Sequence, residues 1–128
     1  MAKTPEGKVK EKVDEILENV YAYIITPTTG GFGKSGHADR IACIPNAAGY
    51  VGSFVGIEVK AGKKKPTALQ SRRLQEILKA GGFAAVVNET NIDEFAQWVD
   101  DIYYGVPGTI ACLLPKGVTL QTDTKVGL

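Results

Sequence analysis

The stretch YVGSFVGIEVK, residues 50–60, follows DRIACI, residues 39–44, across the segment PNAAG. Both runs are rich in β-branched and aromatic residues, which favour extended backbone, and the Pro/Asn/Gly segment between them makes an antiparallel hairpin. Side chains on a strand alternate, so Phe54, Gly56, Glu58 and Lys60 share one face while Val55, Ile57 and Val59 share the other. The second strand thus ends in an acid and a base on one face. A turn centred near Ala48-Gly49 sets Asp39 opposite Glu58. Carboxylates facing each other repel, so a cation is expected between them: either Lys60, an ordinary ion pair, or a divalent metal.

Around this hairpin the chain spells a mixed α/β order. Thr4-Pro5 is a helix entry, and Val9, Val13, Ile16, Leu17 and Val20 follow at helical spacing, predicting a helix over 5–19. YAYIIT, residues 21–26, stops at Pro27 and reads as a strand, followed by the loop PTTGGFGKSG. A helix is expected from Thr67 to Ala80, ended by Gly81-Gly82, then a buried strand from Phe83 to Asn88. NIDEFAQWVDDIYYG is a last helix, with Ile92, Phe95, Ala96, Val99 and Ile102 or Tyr103 on one side, and TIACLL, residues 109–114, reads as a closing strand. The order is α-β-β-β-α-β-α, a mixed sheet with helices, expected as one domain over residues 1–128 with 115–128 as a partly flexible tail.

Composition bounds the function. The 128 residues are 44% hydrophobic and 23% charged, a globular balance, and no run reaches the roughly 20 apolar residues of a membrane span. A soluble, cytoplasmic protein is expected. Cys43 and Cys112 stand apart and there is one histidine, so a structural zinc site lacks ligands and both cysteines are expected as reduced core thiols. The net charge of +1 conceals a basic stretch, Lys60, Lys63, Lys64, Lys65, Arg72 and Arg73, and a separate acidic one, Glu89, Asp93, Glu94, Asp100 and Asp101. Such separation suits a polyanionic partner, although basic residues at a helix start also form ordinary solvated faces.

Gln70 falls in register with Leu74, Ile77 and Leu78 and so points with the apolar stripe toward the sheet. It also stands three residues after Thr67, the spacing of a capping box. GFGKSG imitates a dinucleotide-binding fingerprint but runs into a strand rather than a helix, and Thr28 replaces the first glycine a P-loop needs. A loop that brings Lys34 to a nucleic-acid backbone, with Phe32 stacking on a base, fits better. His37, two residues from Asp39, is either a loop side chain or a ligand or proton shuttle. Trp98 is either a packing residue or an interface anchor.

The combination of Asp39, Glu58, Lys60 and Gln70, with TPEGKVK, GFGKSGHAD, GIEVKAGKKKPTALQ and AGGFAAVVN in that order, resembles the virus-type replication-repair nuclease (VRR-NUC) family. This family is a branch of the PD-(D/E)XK nucleases, and the likeness is to its small stand-alone phage members. The resemblance implies a restriction-endonuclease-like α-β-β-β-α-β core and a Mg²⁺- or Mn²⁺-dependent DNA endonuclease. It puts the motif acid on Asp39, the E-x-K pair on Glu58 and Lys60, the helix glutamine on Gln70 and the acid of the first helix on Glu6, with Glu11 and Glu15 as alternatives. Asp39, Glu58 and the carbonyl of Val59 would ligate the metal, and Lys34, Lys63, Lys64, Lys65, Arg72 and Arg73 would bind backbone phosphates. It further implies a homodimer acting on branched DNA such as four-way junctions, in phage replication or repair within the host cytoplasm. Ala38 stands where the family usually has proline before the aspartate. The competing classes are a non-catalytic nucleic-acid-binding module and a small α/β domain whose charges are only structural.

Overall fold

The structure, a computed structural model, describes residues 3–28 and 35–121. Its elements are α1 (Pro5–Asn19), β1 (Tyr23–Ile25), β2 (Arg40–Ile44), β3 (Ser53–Val59), α2 (Ala68–Lys79), β4 (Phe83–Val87), α3 (Ile92–Tyr104) and β5 (Cys112–Leu113). The five strands form one sheet in the order β1-β2-β3-β4-β5. β1, β2 and β3 pair antiparallel, whereas β3, β4 and β5 run parallel. β3 is therefore the seam between the two halves, and the expected mixed sheet is what forms.

Alternation along β3 assigns the layers. Val55, Ile57 and Val59 pack with Val9, Val13 and Leu17 of α1 and Phe95, Val99 and Ile102 of α3. The opposite face carries α2, whose Leu74 meets Ala38, Ala84 and Val86. Gly56 lets α2 approach closely: a Cβ there would come within 2.4 Å of Ile77 Cδ1. α2 packs mainly against β4 and β3, which leaves much of the same face of β1 and β2 open. Tyr23, Ile25, Cys43 and Phe54 are exposed there. Cys43 is thus no core thiol, and Cys112 is only half-buried. Cys43 lies on the strand face that the short α2 does not cover.

Element ends differ from expectation for local reasons. α1 starts as its sequence dictates, with Pro5 in its first turn and the Thr4 hydroxyl accepting the Gly7 N–H at 3.0 Å. It closes through Tyr21, a non-glycine residue at φ 61°, with the Tyr21 and Ala22 N–H groups donating to Glu18 and Leu17. That left-handed residue delays β1 to Tyr23. β3 starts at Ser53 because Asn46 holds the hairpin connection, its side chain accepting the Ala48 N–H and its carbonyl the Gly49 N–H. Trp98 is a packing residue, 4% exposed, with its indole N–H donating to the Ile110 carbonyl at 2.7 Å. The described part of the expected tail packs: Val118 and Leu120 lie against the α2-side cluster, and Gln121 donates to the Pro66 carbonyl.

Candidate active site

The register Arg40↔Ile57 places Asp39 beside Glu58 at the end of the β2–β3 ladder, as the turn position predicts. The Val59 N–H donates to Asp39 Oδ2 at 2.8 Å, so one carboxylate oxygen is fixed by the neighbouring strand. Glu58 is only 2% exposed, and its Oε2 is buried without a hydrogen-bond partner. A buried acceptor left unmet is costly, which marks this oxygen as waiting for a cation or a proton.

Electrostatics tell the same story. Burial, then the adjoining Asp39 carboxyl through hydrogen bonding and charge, pushes the Glu58 carboxyl up to about 9 against the pull of Lys60. Burial also acts to raise Asp39, but the hydrogen bonds from Glu58 and the Val59 N–H, with the charge of Lys10, leave it lowered. Of the two, Glu58 is thus the carboxyl more prone to hold a proton and Asp39 the one more prone to stay charged. Among the described residues no group of three or more His, Cys, Asp and Glu side chains converges to hold a metal ion. The donors on offer are two carboxylates and backbone.

α1 completes the wall. Glu6 adds negative charge at Glu58. Lys10, four residues on, lies 3.4 Å from Glu6 Oε2 and 3.5 Å from Asp39 Oδ1. Of the other helix acids, Glu11 pairs with Lys3 and Glu15 is exposed. Asp14 takes Arg40 in a two-pronged ion pair at 2.7 and 3.1 Å, while Arg40 also donates to the Asp39 carbonyl at 2.8 Å. Lys10, Asp14 and Arg40 are missing from the sequence reading, yet the spacing Glu6, Lys10, Asp14 puts all three on one helical face.

Gln70 does form the capping box: its Oε1 accepts the Thr67 N–H at 2.9 Å, and the Thr67 hydroxyl accepts the Gln70 N–H at 3.1 Å. Lys60 follows β3 directly, its N–H donating to the Val87 carbonyl. Lys63, Lys64 and Lys65 are exposed on the β3–α2 loop. That loop is held by Glu89, which accepts the Gly62 N–H at 2.8 Å. Lys64, Gly62, Glu6 and Glu89 line a groove of about 710 Å³ beside the site. Arg72 is half-buried, with its Nε enclosed and without a hydrogen-bond partner. Arg73 is engaged with the Ser35 carbonyl and with Glu76. His37 is exposed and lines a separate apolar groove of about 450 Å³ with Ile41, Phe54 and Ile77. Lys34 and Phe32 lie outside the described residues.

A mixed sheet with Glu58 on its seam strand and Asp39 at the entry to the neighbouring strand, one helix on the acid-bearing face and two behind, is the arrangement of a PD-(D/E)XK-like, nuclease-type domain. Within that class the chain has the VRR-NUC fold. A solved structure described as a VRR_NUC domain superposes with a TM-score of 0.62 at 25% identity, covering 74% of this chain and 97% of that one. No protein-family model and no curated protein matches the sequence.

Proposed function

We propose that this domain is a metal-dependent DNA endonuclease that hydrolyses phosphodiester bonds at Asp39, Glu58 and Lys60. The observation that carries this reading is the buried Glu58 carboxylate, with one oxygen unpartnered, beside Asp39. Two carboxylates side by side are hard oxygen donors of the kind Mg²⁺ or Mn²⁺ takes, usually with waters and substrate phosphate filling the remaining positions. Asp39, Glu58 and the Val59 carbonyl would hold the ion. Such an ion, when bound, acidifies a water and neutralises charge on the phosphate.

The protein's own groups do the rest. Lys60, whose charge is felt at Glu58, sets an ammonium where negative charge builds on the phosphate in the transition state. Glu6, on the opposite wall, and the Gln70 amide NH₂, which the cap does not use, would orient water. Lys63, Lys64 and Lys65 would take backbone phosphates along the adjoining groove, with Arg72 and Lys34 extending the contact. Arg73 serves this surface indirectly, by tying α2 to Ser35.

Branched DNA such as a four-way junction, in phage replication or repair in the host cytoplasm, is the substrate setting that the VRR-NUC likeness favours. A homodimer would present two such sites to one junction, and the mass in solution tests it. Cleavage of labelled linear, single-stranded, flapped and four-way DNA with Mg²⁺, Mn²⁺ or EDTA, beside Glu58→Ala, tests the proposal. Metal-dependent cutting that the variant loses is expected. Binding without cutting on every substrate would replace the enzyme by a non-catalytic nucleic-acid-binding module.

A further inference from the structure

We infer that Lys10 is a positioning residue of this site, the resident counter-cation that fixes Glu6 and Asp39 relative to one another. The inference rests on the nuclease reading above and concerns a residue that the E-x-K motif does not contain. Its ammonium is shared between acids from two different elements, at 3.4 Å from Glu6 of α1 and 3.5 Å from Asp39 at the entry to β2. An ordinary surface ion pair joins two side chains; this one joins two acids assigned to the reaction.

The rest of α1 supports the same task. Glu6, Lys10 and Asp14 recur every four residues and so form one ridge. Asp14 grips Arg40, which in turn donates to the Asp39 carbonyl, so this ridge holds residue 39 by its backbone as well as by its side chain. The Val59 N–H donates to Asp39 Oδ2 and Lys10 faces the other oxygen, Oδ1, so the two sides of the carboxylate are held from different elements. Lys10 is partly exposed, 30% for its side chain, so it is reachable from solvent.

Two opposite effects follow from replacing it. A positive charge beside the carboxylates opposes binding of a divalent ion, so Lys10→Met should bind Mn²⁺ more tightly than wild type, read from the free-ion signal by electron paramagnetic resonance without DNA. The same variant loses the hold on Asp39 and Glu6, so its single-turnover cleavage at saturating Mn²⁺ should fall by about tenfold or more. Lys10→Arg, which keeps charge and reach, should return both values toward wild type. A purely structural role would not move affinity and rate in opposite directions. Wild-type affinity and rate in Lys10→Met, weaker Mn²⁺ binding, or tighter binding with an unchanged rate would each overturn the inference. A wild type that neither binds Mn²⁺ nor cuts DNA would instead overturn the nuclease reading, and the inference with it.

Discussion

At the scale of single residues, the site is governed by what burial does to one carboxyl. Folded, metal-free Glu58 holds its proton up to about 9, against 4.5 for an ordinary glutamate. The folded state therefore binds more protons than the unfolded chain between those values. Stability from this group is fully present below the ordinary carboxylate value and is lost as pH rises toward 9. Asp39, held low, works in the opposite sense, contributing above its ordinary value and losing that contribution under acid. Denaturant melts in EDTA should show the alkaline loss. Glu58→Gln should flatten it and, between the ordinary carboxylate value and 9, raise metal-free stability by on the order of 1–3 kcal/mol, because the amide needs no proton. Lys60→Ala should leave fold and DNA affinity near wild type and cut the cleavage rate by about a hundredfold or more. Equal cleavage by the two proteins would remove Lys60 from the mechanism. The juxtaposition of Asp39 and Glu58 was legible because alternation and turn position are strictly local rules. Lys10 was not, since its value depends on where α1 crosses the sheet, which no spacing within the hairpin encodes.

At the scale of elements, α2 is specified at both ends. Its capping box is visible in sequence as Thr67 and Gln70, and both of its hydrogen bonds form. Thr67→Ala should cost about 1 kcal/mol by thermal or chemical melt. Glycine positions under α2 should separate in the same assay. A Cβ at Gly56 meets the far end of the flexible Ile77 side chain, whereas one at Gly82 also meets the Phe54 and Ile77 carbonyl oxygens at 3.1 and 3.3 Å. Gly82→Ala should therefore destabilise more than Gly56→Ala, because backbone yields less readily than a methyl group. The short β1 and β5 show where pattern reading fails. YAYIIT has strand composition throughout, but Tyr21 is taken by the reversal that ends α1. TIACLL likewise contributes only Cys112–Leu113 to the ladder, as Ile110 gives its carbonyl to Trp98.

Across the whole molecule, the later acidic stretch divides: Glu89 sits at the basic loop, accepting the Gly62 N–H, whereas the other acids lie on α3. Lys63, Lys64 and Lys65 lie on the loop leaving the seam strand, beside the groove walled by α1, while the acids of α3 lie on an element behind the sheet. Lys64→Glu with Lys65→Glu should weaken DNA binding strongly at low salt and flatten its salt dependence, since each phosphate contact releases about one counterion. Unchanged affinity at low salt would remove this loop from the interface. The basic stretch was readable in the sequence, but the diversion of Arg73 to Ser35 and Glu76 was not, because it needs the loop before β2 folded against α2. The element order, the hairpin register and the buried face of α1 were readable from period-two and period-3.6 patterns, whereas the parallel β3–β4 pairing and the strand order are set by how α2 packs across the sheet.

Buried Glu58 and its neighbour Asp39 are proposed as a cation site, and calorimetric titration of Mn²⁺ into DNA-free protein is the decisive experiment. Wild type should show saturable binding that Glu58→Gln and Asp39→Asn each abolish or weaken by more than about tenfold, with both variants folded. Equal Mn²⁺ binding by wild type and Glu58→Gln would exclude the cation site, leaving Glu58 a buried acid that simply keeps its proton.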